Sequence, residues 1–251
     1  MYELTKEQLI RYSRQLLILG FGLCEQEKLF NSKTLIVGAG ALACSNMLYL
    51  TAAGVGNIGI IDNDKVKLEN LHRQVVYTEE DIGKFKVAAA KERLIKLNKD
   101  VKIKTFNKRL DKNNALKIMK DYDFIIDCTD NISTRLTINK FAYKLKKTWF
   151  YAAVYAMEGQ ASVIIPGKTP CYRCFFEEKP DEENVPDCLS GGIIGVIPAL
   201  IGSIQATEVI KTIIGKPLSL AGKLLIYQAM KMKFDIVDVK KRKNCPVCGE
   251  K

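Results

Sequence analysis

The stretch Lys33-Thr-Leu-Ile-Val-Gly38-Ala-Gly40-Ala-Leu-Ala43, followed by Ile58-Gly-Ile-Ile-Asp62, decides the fold. A short β-branched run stops at Gly38, and a helix-compatible segment follows from Ala41 to Ala53. A second apolar run then ends in an acid. Strand, glycine turn, helix and strand within about thirty residues make a βαβ unit and predict a parallel sheet. Gly38 permits the tight turn, Gly40 lets the backbone approach a phosphate or ribose, and the small Ala43 lets the helix pack on the strand. The helix N-terminus behind the turn offers free N–H groups to an anion. Asp62 lies where an acid can accept hydrogen bonds from ribose hydroxyls. This pattern reads as a nucleotide site without separating NAD from ATP, and a plain strand–helix turn is the bland alternative.

The alternation continues outward from this unit. Helices are expected over 84–97, 111–120, 133–146 and 193–214, and in the first thirty residues, where Leu9, Tyr12, Ser13, Leu16 and Leu17 recur near helical spacing. Strands are expected over 101–106, 123–127, 149–154, 160–165, 224–227 and 234–239. The expected class is α/β: a Rossmann-type, mostly parallel sheet with helices on both faces, closing on C-terminal strands. With no repeat, low-complexity tract or linker, one domain over 1–251 is expected, with a helical arm at 1–30 and a mobile segment at 169–192.

Composition narrows the class. A chain of 251 residues with 47% hydrophobic and 27% charged content fits a globular protein with a buried core. No run approaches the roughly 20 apolar residues of a membrane span, and no signal-type h-region is present, so a cytoplasmic protein is expected. The net charge of +11 concentrates between Lys84 and Lys120, with thirteen Lys/Arg against three acids. Aromatic residues do not interleave there as a stacking platform requires, so the run reads as a solvated surface and nucleic acid is not the expected partner.

Four of the eight cysteines form two pairs, Cys171-x-x-Cys174 and Cys245-x-x-Cys248. Four thiolates close a tetrahedral shell around Zn²⁺ and leave no open position, so the pairs predict one structural zinc site. A redox Cys-x-x-Cys is the alternative. Cys188, in Asp187-Cys188-Leu-Ser-Gly191-Gly192, precedes an apolar helix, where a thiol can have a lowered pKa and act as a nucleophile. Cys24, Cys44 and Cys128 read as small core residues.

Downstream of Asp62 come Asn70, His72, Arg73 and Gln74, then Gly83-Lys84-Phe-Lys86. A dehydrogenase needs no such cations beside a ribose, whereas an enzyme moving charge onto a triphosphate does. Asp130 lies just beyond a strand's C-terminal end, where α/β sheets place ligands, and suits Mg²⁺. For each residue singly, a surface salt bridge explains it as well.

Together with Arg11-Tyr-Ser-Arg14-Gln, Ala53-Gly-Val-Gly-Asn57, Asp127-Cys-Thr-Asp130-Asn131 and Met157-Glu-Gly-Gln160, these stretches resemble the MoeB/ThiF/HesA family, bacterial relatives of ubiquitin-activating enzymes. They run in family order over nearly the whole chain. The resemblance implies adenylation by Mg-ATP of the C-terminal Gly-Gly carboxylate of a ubiquitin-like sulfur-carrier protein, MoaD-like or ThiS-like. It implies Gly38, Gly40, Ala41, Asp62 and Gln74 at the nucleotide, with Asp62 on the ribose. Asn70, Arg73 and Lys86 would meet the phosphates, and Asp130 the metal. It also implies a homodimer in which Arg14 reaches the partner's ATP. Ala41 and Ala43 stand where the family usually has glycines. A cysteine in the region of Cys188 accepts the activated carrier or sulfur in some members and is dispensable in others.

The attacking carboxylate is already ionised at neutral pH, so His72 reads as a neighbour of Arg73 and not as a base. Sulfur is then expected from a separate protein, a cysteine desulfurase or rhodanese-like donor, for molybdopterin, thiamine or tRNA thiolation chemistry. The rival readings are an NAD-dependent oxidoreductase and a non-catalytic half of a heterodimeric activating enzyme.

Overall fold

In the computed structural model, which describes residues 4–176 and 192–249, the glycine turn sits at the centre of one eight-stranded sheet. Strands β1 (Lys33–Val37), β2 (Asn57–Asp62), β3 (Lys102–Asn107), β4 (Phe124–Asp127) and β5 (Thr148–Tyr155) are parallel, in the spatial order β3-β2-β1-β4-β5. Strands β6 (Glu158–Ile164), β7 (Lys223–Gln228) and β8 (Lys233–Asp238) extend the sheet antiparallel beyond β5. Strand order reverses between β1 and β4, and such a switch point opens a crevice at the strands' C-terminal ends.

The period-two alternation of β1 divides the core into two layers. Ile36 faces the helices α3 (Ala41–Ala53), α4 (Lys86–Leu97) and α8 (Val196–Ile213), burying Met47, Leu50, Leu94, Ile201 and Val209. Leu35 and Val37 face α5 (Ala115–Met119), α6 (Ile132–Leu145) and the short α7 (Tyr172–Phe175), with Ile118, Phe141 and Trp149. Helix α8 is the one described helix long and apolar enough to cross a membrane by composition. Here it packs on α3, β5 and β6. Its Gln205 donates to the carbonyls of Asp127 and Phe150 at 2.9 and 2.7 Å and accepts from Asn46 at 2.7 Å. A buried polar residue so fully satisfied fixes the register of α8 over β4 and β5.

The structure corrects three expectations. The N-terminal arm is two helices, α1 (Lys6–Leu16) and α2 (Leu23–Asn31), and of the expected stripe only Tyr12 and Leu16 pack inward. Gln8, outside the stripe, is buried beside Tyr12, with Tyr12 Oη accepting from Asn98 Nδ2 at 2.8 Å and Gln8 Nε2 donating to Asp100 at 3.1 Å; Leu9, Leu17 and Leu19 are exposed. Helix α5 spans only half of the expected 111–120. Asp111 and Asn114 hydrogen-bond nearby backbone groups and hold a turn in front of it, the usual competition of Asx side chains with helix. Cys24 is exposed on α2, whereas Cys44 and Cys128 are buried as expected. Cys188 lies outside the described residues.

Candidate active site

The crevice at the switch point is a cavity of about 690 Å³, within the range of small-molecule sites. It gathers Gly38, Gly40, Ala41, Asp62, Arg73, Gln74, Lys86 and Asp130, residues up to 92 positions apart in the sequence. Gly38 has φ +92°, and a Cβ there would lie 2.6 Å from the Cys128 carbonyl oxygen. The turn thus passes so close to the end of β4 that only glycine fits. A Gly38→Ala variant is expected to lose about 1–3 kcal/mol from backbone strain, with further loss from the clash. Thermal denaturation checks this, with an unchanged Tm as the contrary result.

Asp62, ending β2, accepts from the Ala39 amide at 2.7 Å and the Asp64 amide at 2.7 Å. Burial pushes its carboxyl pKa up, while those two amides and Lys86 pull the other way. Tyr77, buried and not singled out by the sequence, donates to the Ala39 carbonyl at 2.8 Å and secures the same turn. Lys86 opens α4 and is only 6% exposed; its ammonium lies 3.0 Å from Asp64. Arg73 is held over the crevice by its own turn, with Nη1 donating to the Glu69 carbonyl at 2.8 Å and lying 2.6 Å from His72 Nε2. His72 is therefore a neighbour of Arg73, as expected.

Asn70 and Arg14 do not line the cavity. Asn70 is buried, and its side chain accepts from the Lys67 amide at 3.2 Å while its carbonyl receives the Arg73 and Gln74 amides. It builds the turn that presents those two residues. Arg14 is exposed near the end of α1. Asp130 stands at the cavity beside Asn131, which caps α6 by accepting from the Thr134 amide at 2.9 Å. Arg109, counted by sequence only within the basic run, donates to Asn131 at 2.9 Å and lines the same rim.

The other half of the cavity was not legible in the sequence. It is walled by Arg135, Tyr151, Ala153, Gly159, Tyr172 and Phe176. Arg135, one turn into α6, faces the fully buried Asp127 at 3.8 Å and donates to the Thr129 carbonyl at 2.6 Å. Its guanidinium stands over the Tyr151 ring at 5.4 Å, and both Tyr151 and Tyr172 lie within its electrostatic reach. The Asp127 carboxyl is pushed up by burial, against the opposing pull of Arg135 and Thr129. The only sequence signal was Arg135 following the α6 cap Asn131 by four residues, which places it one helical turn on.

The four paired cysteines meet as a buried cluster whose sulfurs all lie within 4.8 Å of one another, with Cys171–Cys245 and Cys174–Cys248 at 3.4 Å. These separations exceed a disulfide bond of about 2.05 Å. They approach the roughly 3.8 Å edge of a tetrahedron with metal–sulfur bonds of about 2.3 Å. The donor set therefore fits a closed, four-coordinate metal site.

A sequence profile described as the ThiF family matches residues 12–247. The chain belongs to the ThiF family. Among curated proteins, a sulfur carrier protein adenylyltransferase of Thermus thermophilus is 41% identical, covering 98% of this chain and 93% of that protein. An adenylyltransferase and sulfurtransferase MOCS3 of Culex quinquefasciatus is 39% identical over 99% of this chain, which spans 57% of that protein's length. Among solved structures, E. coli MccB with ATP superposes with a TM-score of 0.85 at 25% identity, covering 96% of this chain and 75% of that one. The fold is thus shared with a protein crystallised with ATP.

Proposed function

We propose that this ThiF-family chain adenylates the C-terminal carboxylate of a small ubiquitin-like sulfur-carrier protein ending in Gly-Gly, preparing it for thiocarboxylate formation. The observation that carries the reading is the two-part cavity. A glycine turn with Asp62, Arg73, Lys86 and Asp130 lies on one side, and an aromatic wall with one half-buried guanidinium lies on the other. The cationic half argues against the oxidoreductase reading, since a nicotinamide cofactor transfers a hydride and places no growing charge beside Arg73 and Lys86.

In the reaction, a carboxylate oxygen of the carrier attacks the α-phosphorus of ATP. The P–O bond to the leaving diphosphate breaks, giving an acyl-adenylate and pyrophosphate. Asp62 holds the ribose, and Arg73 and Lys86 neutralise charge on the leaving phosphates. Asp130 would hold a Mg²⁺, which would supply positive charge against the phosphates. No general base is needed, because the nucleophile is already ionised.

The four-thiol site takes zinc in this reading, and reduced thiols around a metal suit a cytoplasmic compartment. A homodimer is supported by exposed Arg14 lying outside the cavity beside an exposed apolar run, Leu17, Ile18 and Leu19. Sulfur would come from a separate donor. Carrier-dependent ATP–pyrophosphate exchange tests the function: exchange is expected with a MoaD-like or ThiS-like carrier and none after deletion of its terminal glycine. Absence of exchange with every Gly-Gly-ended carrier tried would refute it.

A further inference from the structure

The four-thiol cluster and the aromatic half of the cavity are one connected piece of structure. Tyr172 lies between the ligands Cys171 and Cys174, so its backbone direction is set by the clip. Asn139 of α6 secures this position twice: its side-chain oxygen accepts from the Tyr172 amide at 3.2 Å, and its Nδ2 donates to Cys171 Sγ at 3.7 Å. From there the Tyr172 ring packs on Trp149, Tyr151 and Phe176, with centroids 5.6, 5.5 and 4.8 Å apart. Tyr151, Tyr172 and Phe176 all line the cavity. Arg135, the cation of this half, stands over the Tyr151 ring and lines the same cavity.

A carrier tail that ends in glycines brings almost no side-chain surface. Its binding must come from backbone lying against flat, rigid walls, and an aromatic ring supplies such a wall at low entropic cost. The charged half around Gly38 and Lys86 has a different chemistry.

We infer that the four-thiol clip positions the acceptor half of the active cavity, with Tyr172 as the wall against which the carboxylate-bearing chain is held. This rests on the adenylation reading above. It predicts that the clip and the nucleotide half are separable: loss of metal weakens carrier binding while ATP binding persists.

The chain supplies its own reporter, because Trp149 is the sole tryptophan and is fully buried against Tyr172. Chelation of the metal from the full-length protein is expected to shift Trp149 emission. It should also raise the Kd for a Gly-Gly-ended carrier at least about tenfold. The Kd for a fluorescent ATP analogue should stay within about twofold. Should the metal-free protein unfold, Tyr172→Ala makes the same test with the clip intact. It should keep full metal content and wild-type ATP affinity, with the carrier Kd and KM raised about tenfold or more. Tyr172→Phe, which keeps the ring, should remain within about threefold of wild type. Unchanged carrier binding in Tyr172→Ala, or equal weakening for ATP and carrier, would overturn the inference. A wild type that binds carrier but supports no exchange would overturn the adenylation reading alone, since the wall is judged from binding.

Discussion

Lys86→Met is expected to lower carrier-dependent ATP–pyrophosphate exchange by about 100- to 1000-fold, the usual effect of removing one preorganised donor from a site of developing charge. The structure isolates this effect from stability. Lys86 is 6% exposed and its ammonium contacts Asp64, whose side chain is 61% exposed. Methionine has nearly the same length and fills the same space at the start of α4. The Asp64 carboxylate left behind stays in water, and Asp62, which also loses the Lys86 charge, keeps its two backbone amide donors. The Lys86 backbone amide still donates to the Asp64 carbonyl at 2.9 Å, which keeps the entry to α4. A Tm within a few degrees of wild type should accompany the lost exchange. A wild-type kcat would remove Lys86 from phosphate handling; a parallel fall in Tm and rate would assign it to the fold.

The second large effect concerns the metal clip. Cys248→Ala is expected to abolish stoichiometric metal binding and to lower the Tm by about 10 °C or more, given several kcal/mol from a structural metal site. The clip joins residues 74 positions apart, and the segment after β8 is mostly exposed until Cys245 and Cys248. Among the described contacts, Arg242 donates its amide to Cys174 Sγ at 3.4 Å, so even the nearby backbone is organised on the sulfurs. Little apolar burial would hold this segment once the thiols are lost. Elemental analysis and thermal denaturation, each with and without chelator, check the outcome. Chelated wild type should match the variant. An unchanged Tm in both would show that the cluster is not a structural metal site.

The legible part of the site was the part built by local rules. Gly38, Gly40 and Asp62 announce themselves because a βαβ unit has a fixed length, and its turn and second strand end must converge. Arg73, Lys86 and Asp130 were legible from their residue types and from family resemblance, and the cavity brings all three together. Asn70 shows the limit of that reading. Its place in the motif is unmistakable, yet its side chain is spent on the turn beneath Arg73. Tyr77, Tyr151 and Tyr172 carried no signal, and Arg135 only its place one turn after Asn131, because an isolated aromatic or arginine reads as core or surface until its neighbours are known. The N-terminal arm misled for a related reason. Helical spacing identified a helix, but buried polar bonds from Gln8 and Tyr12, together with Leu16 and not Leu9 or Leu17, mark the face turned to the protein.

By itself, the sequence determined the parallel α/β class, the glycine turn with its acid, and the two thiol pairs, because each depends on spacing within a few dozen residues. Only the tertiary structure decided the second half of the cavity. There β4, α6, β5 and the Cys171–Cys174 turn meet, and the buried Asp127 faces Arg135 while Thr129 donates to its other carboxylate oxygen. Such a site arises where distant segments cross. No local period or motif encodes it, since its residues become neighbours only when the two layers of the core are packed.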